Sequence, residues 1–219
     1  MKFFTLFLLP VFLYASHNQP YKADVVPKKM TVDVKKDRFY YLIKPTVLKV
    51  YKDLLKQYET VKEDIKYHRN PQKIKRLMKE YYAKDEQDLL KRLYPHPPSI
   101  TLAQAAVESG WATSRFFREA NNLFGMWSNK KTEPRIETPA RRKGKKVWLR
   151  RFDSIEESVK EYYEILAKNR AFRRFRDIRY QNKNVYKVIK ALDRYSERRQ
   201  RYIRTLHSVI KYNKLTKYD

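Results

Sequence analysis

The segment Thr101-Leu102-Ala103-Gln104-Ala105-Ala106-Val107-Glu108 reads as a helix that is apolar nearly all round, with small alanines that permit close packing. Its polar side chains are few, and Gln104 and Glu108 lie four apart on one line of the helix, a line that continues to Trp111 and Arg115. A carboxylate in such a place is costly unless it is paired or faces a cleft. Partial burial raises its pKa and keeps it protonated near neutral pH, which is the state a general acid needs. A buried ion pair with an arginine such as Arg115 is the alternative reading of the same pattern.

Other chemistries find little support. The chain has no cysteine, which excludes disulfide frameworks, thiol nucleophiles and cysteine-based zinc sites. His17, His68, His96 and His207 are dispersed, with no pair at i, i+4, so no metal site is expected. No G-x-S-x-G elbow accompanies the serines. With only 3 glycines, neither a dinucleotide-binding loop nor a P-loop can be written. No cofactor is expected. Gly110, Gly125 and Gly144 fall in one stretch, together with Trp111, Trp127 and Trp148, so the unusual backbone geometry concentrates there.

The elements that would position Glu108 are mostly helical. Residues 17 to 40 are polar and carry Pro20 and Pro27, and are expected to form an extended leader. Beyond Pro45 the spacing of Val47, Val50, Tyr51, Leu54, Leu55 and Tyr58 predicts a helix to about residue 65. Asn70-Pro71 marks a second helix start, residues 86 to 93 a third piece, and Pro95-His96-Pro97-Pro98 its end. Thr101 with Gln104 three residues on satisfies a capping box for the alanine-rich helix. A short helix over Thr113 to Ala120 follows. Pro134, Pro139 and the turn around Gly144, before Val147-Trp148-Leu149, predict a small β-hairpin within residues 132 to 152. Ser154-Ile155-Glu156-Glu157 is another capping box, opening a helix whose apolar face carries Val159, Tyr162, Tyr163 and Leu166. Further helices are expected at about 182 to 194 and 197 to 213. The fold class is mainly α (α+β), with one small β element. The predicted organisation is 1-16, 17-94 and 95-219.

Residues 3 to 14 form an apolar run behind Met1-Lys2, followed by Ala15-Ser16, the pattern of a secretory signal over residues 1-16. An uncleaved anchor is the alternative, although the run is shorter than the ~20 residues of a membrane span. No stable span is expected after signal cleavage, and the protein is expected in the periplasm or cell envelope. The 51 basic residues exceed the 24 acidic ones, giving a net charge of +27. For an exported chain this favours adsorption to acidic envelope polymers, and no nucleic-acid partner is expected.

The pair of motifs Leu102-Ala103-Gln104-Ala105-Ala106-Val107-Glu108-Ser109-Gly110-Trp111 and Asn121-Asn122-Leu123-Phe124-Gly125-Met126-Trp127 resembles the signature of bacterial N-acetylglucosaminidases of glycoside hydrolase family 73. Phe152-Asp153-Ser154, Asn169-Arg170-Ala171-Phe172 and Tyr195-Ser196-Glu197-Arg198 are similar to its Bax-type exported subgroup, and the likeness extends over residues 95 to 213. Flagellar rod-associated peptidoglycan hydrolases share the first two motifs. The resemblance implies a lysozyme-like helical domain with a small β lobe, peptidoglycan glycan strands as substrate, and Glu108 as the acid that protonates the leaving glycosidic oxygen. Lytic transglycosylases share the fold and the Glu-Ser start, but their Gly-Leu-Met-Gln-type segment is absent, so hydrolysis leads.

In the family a ribbon acid activates water, and Glu137 falls near that position with Glu133 in reserve. The ribbon arm is Pro- and Arg-rich and departs from the family pattern. An exposed ribbon charge, or assistance from the substrate's own acetamido group, are the alternatives for this role. Phe124, Trp127, Tyr162 and Tyr195 are candidates for stacking on sugar rings, with core packing as the competing reading. Asn122 is a candidate for the acetamido group. A catalytically weak wall-binding protein that keeps the groove is the alternative function.

Overall fold

The computed structural model describes residues 21–142 and 144–219. The predicted signal segment lies outside the described residues. Among those described, helices α1 (Val32–Lys66), α2 (Pro71–Glu80), α3 (Glu86–Leu93), α4 (Pro98–Glu108) and α5 (Arg115–Ala120) are followed by an antiparallel ribbon, β1 (Arg135–Arg142) and β2 (Lys145–Arg150). Helices α6 (Ile155–Lys168), α7 (Arg173–Gln181), α8 (Val185–Val188) and α9 (Gln200–Tyr212) complete it, with short 3-10 turns at Arg170–Phe172, Ile189–Leu192 and Leu215–Tyr218. The mainly helical architecture with one small ribbon is as the sequence predicts.

Helix α4 is the centre of the main core. Its residues from Pro98 to Ala106 are all buried, packed against α1, α9 and the Leu215–Tyr218 turn. Helix α1 brings Phe39, Ile43, Val47 and Val50 to that core, one apolar stripe at helical spacing. Further along α1, Tyr58 and Val61 join Ile74, Leu77, Leu89 and Leu93 in a second cluster with α2 and α3. The ribbon packs Ile136 and Leu149 on Ala120 of α5.

Three expectations are corrected. The helix predicted beyond Pro45 begins at Val32, so residues 32–40 of the expected extended leader are helical; Thr31 Oγ1 accepts from the Val34 amide (3.3 Å), and the helix runs through the proline. Pro45 removes only the bond to the Tyr41 carbonyl, and Tyr41 is exposed, so water can replace it. The alanine-rich helix starts at Pro98 rather than at Thr101. Asp219 caps it, its carboxylate accepting from the Ser99 amide and hydroxyl (2.8 Å each), an anion at the positive end of a helix. Thr101 is instead buried, bonded to the Tyr163 hydroxyl (2.8 Å) and to His96 Nε2 (2.9 Å). Third, α7 is a helix that the sequence reading does not place; it buries Phe175, Arg176 and Arg179. Helices α5, α8 and α9 begin two to three residues later than expected, and the piece expected at 182 to 194 is the short α8 followed by a 3-10 turn, while the starts of α2, α3 and α6 agree with prediction. Pro71 opens α2, and Ser154 Oγ accepts from Glu157 N (3.1 Å) while Glu157 reaches back to the Asp153 amide (2.8 Å).

Candidate active site

Glu108 is the last residue of α4, and the chain leaves it through an unusual turn. Gly110, Trp111 and Ala112 all have left-handed backbone angles, with φ of 59°, 63° and 60°. Glycine takes this conformation freely, whereas tryptophan and alanine pay roughly 1–2 kcal/mol each for it. Ser109 is the inner clamp. Its hydroxyl donates to Ala105 O (2.6 Å) and accepts from Ala112 N (2.8 Å), and its carbonyl accepts from the Thr113 and Ser114 amides. The outer clamp comes from α1. Fully buried Arg38 donates through Nη1 to Ala112 O (2.6 Å) and through Nη2 to Lys22 O and Ala23 O (2.8 and 2.9 Å). The Trp111 ring meets Phe39 and Tyr40 of α1 edge-on, at 5.2 and 6.3 Å between centroids.

The carboxyl of Glu108 is largely withdrawn from solvent, and its buried Oε1 has no hydrogen-bond partner among the described residues. Burial pushes its pKa up; the Tyr202 hydroxyl and the Arg198 guanidinium oppose the shift without cancelling it. The predicted alternative, an ion pair with Arg115, does not form. Arg115 meets Glu119 (3.3 Å) and the Glu137 carbonyl (2.6 Å) instead. One turn back on α4, Gln104 is fully buried; it donates to the Tyr202 hydroxyl (2.8 Å) and accepts from Tyr162. Both tyrosine hydroxyls are held far above their ordinary pKa by burial and stay neutral. The acid therefore sits at the end of a neutral hydrogen-bonded row that offers no base to discharge it.

The second motif builds the wall beside it. Asn122 is 1% exposed, and its amide is fully engaged: Nδ2 donates to Met126 O (2.9 Å) and Arg150 O (2.8 Å), and Oδ1 accepts from Met126 N (2.8 Å). It is a fastener between the loop and β2, with no group left for an acetamido contact. Phe124 and Tyr162 are also buried and stack on each other at 4.0 Å, so they support the site from within the core. Tyr195 is half-buried and lies parallel to Tyr202 at 5.7 Å. Trp127 exposes 48% of its surface and pairs with Leu149 as a short extension of the ribbon. Arg142 stacks over its ring at 5.1 Å and also reaches Glu197 (3.5 Å), linking the end of the ribbon to the segment that carries Tyr195 and Arg198.

The two ribbon acids differ. Glu133 is bound up in its own loop, accepting from the Asn129 and Lys130 amides and facing Arg150 (3.4 Å). Partial burial would raise its pKa, but the Ser128 hydroxyl, these amides and Arg150 outweigh it and hold it low, which makes a weak base. Glu137 stands opposite Trp148 in the ribbon register, part exposed, with Lys146 Nζ at 3.1 Å. No group of three histidine, aspartate or glutamate side chains suited to a metal ion occurs among the described residues. Arg38, Ser109 and Tyr202 were not singled out from the sequence. Arg38 falls within the stretch expected to be an extended leader, and only its full burial sets it apart.

The glucosaminidase family model, described as mannosyl-glycoprotein endo-beta-N-acetylglucosaminidase, matches residues 84–215, more than half of the chain. The chain belongs to the glucosaminidase family. It is 39% identical over 93 residues to Protein bax of Escherichia coli (strain K12), a match covering 42% of this chain and 32% of that protein. It is 31% identical over 105 residues to exo-glucosaminidase LytG of Bacillus subtilis (strain 168), covering 46% of this chain and 34% of LytG. The matches thus span about a third of the length of these relatives. In fold this glucosaminidase is similar to the catalytic domain of the autolysin Auto from Listeria monocytogenes, with a TM-score of 0.55 at 19% identity, over 88% of this chain and 92% of that one. Arg38 lies outside the family-matched segment, and so does Asp219.

Proposed function

We propose that this glucosaminidase is an exported peptidoglycan hydrolase that cleaves the β-1,4 bond following N-acetylglucosamine in glycan strands, with Glu108 as general acid. The observation that carries the reading is the carboxyl of Glu108, held at the end of a buried helix with its pKa raised and one oxygen unpartnered. A raised pKa favours the protonated state that a general acid needs. The names of LytG and of the family support the sugar specificity. Export rests on the apolar run at residues 3 to 14 with its small-residue exit; no helix among the described residues is long and apolar enough to cross a membrane.

Water activation falls to Glu137 if it leaves Lys146, or to the acetamido group of the substrate. Glu133 is a poor candidate because its oxygens are already engaged. The ion pairing of both ribbon acids favours one second reading, a wall-binding protein of low activity.

The test is clearing of purified cell wall by the full chain and by Glu108→Gln, with mass spectrometry of the released fragments. Loss of an acid of this kind costs about 10²- to 10⁴-fold in rate. The expected products are reducing-end N-acetylglucosamine fragments. Undiminished clearing by the variant would remove Glu108 from the mechanism. Binding to the wall without release of any fragment by the unaltered protein would support the second reading.

A further inference from the structure

A cavity of about 680 Å³ opens between the Arg170–Phe172 turn, the start of α7 and the segment before Tyr195. Glu108 is not among its lining residues. Its cations are Arg170, Arg173, Arg174 and Arg194, and lysine contributes none, in a chain rich in both. All four arginines are exposed. Arg173 has one distant carboxylate, Asp177 at 3.8 Å; Arg170, Arg174 and Arg194 have no ion-pair partner among the described residues. Asp177 is itself occupied by Lys91 (3.1 Å). With Asp193 as the other acidic lining residue, the cavity keeps an excess of positive charge.

Four forked donors around a concavity differ from a solvated basic face. Guanidinium groups bind carboxylates two-pronged, with a geometry that an ammonium lacks. The volume is that of a ligand site, and Ile178 and Ala191 add an apolar lining for short aliphatic side chains. Position selects the ligand. Phe172, in the turn whose Arg170 and Ala171 line the cavity, packs on Tyr195 at 6.0 Å, and Tyr195 lies on Tyr202 beside Glu108, so an aromatic chain joins that turn to the site. A linear polyanion would call for an extended basic track; a bounded pocket suits a short substituent.

We propose that the arginine-lined cavity is a subsite for the carboxylates of peptide substituents carried by the glycan strand. This rests on the peptidoglycan reading above. It makes the basic charge near the site selective for strands that still carry their peptides.

The experiment compares glycan strands bearing intact peptides with the same strands stripped of them by an amidase. The full-length protein and the double variant Arg170→Gln/Arg174→Gln are assayed for KM and kcat on both, with the single variant Arg194→Gln as a milder change in case the double variant misfolds. Unaltered protein is expected to show a KM about tenfold lower on peptide-bearing strands, the size of one or two charge-assisted contacts at a partly solvated site. The variants should bring that ratio toward one. An unchanged ratio overturns the proposal, as does an equal loss of affinity for both strands, which is the signature of general adhesion to polyanions. Co-sedimentation of Glu108→Gln with the two strand types gives a second readout. If the unaltered protein cuts neither strand, the hydrolase reading fails, and preferential co-sedimentation with peptide-bearing strands still decides the subsite.

Discussion

Replacing Arg38 by methionine keeps most of the packing of the stem and removes the guanidinium, which isolates the contribution of the clamp. The bond to Ala112 O is buried and charge-assisted, and such bonds contribute roughly 1.5–3 kcal/mol. The bonds to Lys22 O and Ala23 O are part-buried, and water can replace them at small cost. Relief of an unfavourable term works the other way, since burial and then Arg118 depress the pKa of Arg38 and so penalise its charge. The net loss should be about 2 kcal/mol. For a chain of this size that lowers Tm by roughly 4–8 °C. The two left-handed non-glycine residues store roughly 2–4 kcal/mol, the same magnitude as the clamp. Removing one therefore releases the other, and Glu108, two residues before the turn, shifts with it. A displacement of about 1 Å costs on the order of 10²-fold in rate. Reducing-end release on stripped glycan strands should show kcat down ten- to a hundredfold with KM little changed, and Arg38→Lys should recover part of it. A variant that loses the expected stability but keeps kcat within twofold would refute the coupling of clamp to acid.

Two further outcomes follow from buried groups. His96 is fully buried, and desolvation, then the nearby Arg179, drive its pKa well below 6.5. The unfolded chain binds this proton at a higher pH than the folded one does, so stability is lost as pH falls through the ordinary histidine range. Urea unfolding at several pH values should show a flatter profile in His96→Gln; identical slopes would exclude this source. Tyr202→Phe leaves the buried Gln104 amide without its acceptor, for a loss of roughly 1–3 kcal/mol. It also removes a group that lowers the pKa of Glu108, so the alkaline limb of the pH–rate profile should move up. A downward shift in that limb would contradict the assignment.

The elements closest to the chemistry were legible because local signals coincide there. An alanine-rich run with one glutamate at its end, proline at a helix start, and a serine with glutamate three residues on each have a single compact solution. Pro45 misled because a 35-residue helix with a wide apolar face can absorb one missing bond. Thr101 misled because capping boxes and buried hydroxyl networks use the same residue types, and only tertiary partners such as His96 and Tyr163 distinguish them. The site residues were less legible than the fold. Phe124, Tyr162 and Tyr195 share one aromatic code, yet the structure buries the first two and leaves the third half-exposed. Periodicity reports that a side chain faces inward; it does not report which inward groups border a cleft. Arg38 was hidden for the opposite reason, since nothing local to it announces a carbonyl 74 residues away.

The two fastenings of α4 also bear on timing. Its first turn is closed by Asp219, 120 residues further along, and the turn beyond Glu108 by an arginine that precedes the helix by 60 residues or more. During synthesis from the N-terminus, Arg38 is available early, but the ligand for the Ser99 amide arrives only when residues 215–219 do. Closure over such sequence distances is slow. The start of α4 is thus fastened only once residues 215–219 have been made, well after the helix itself.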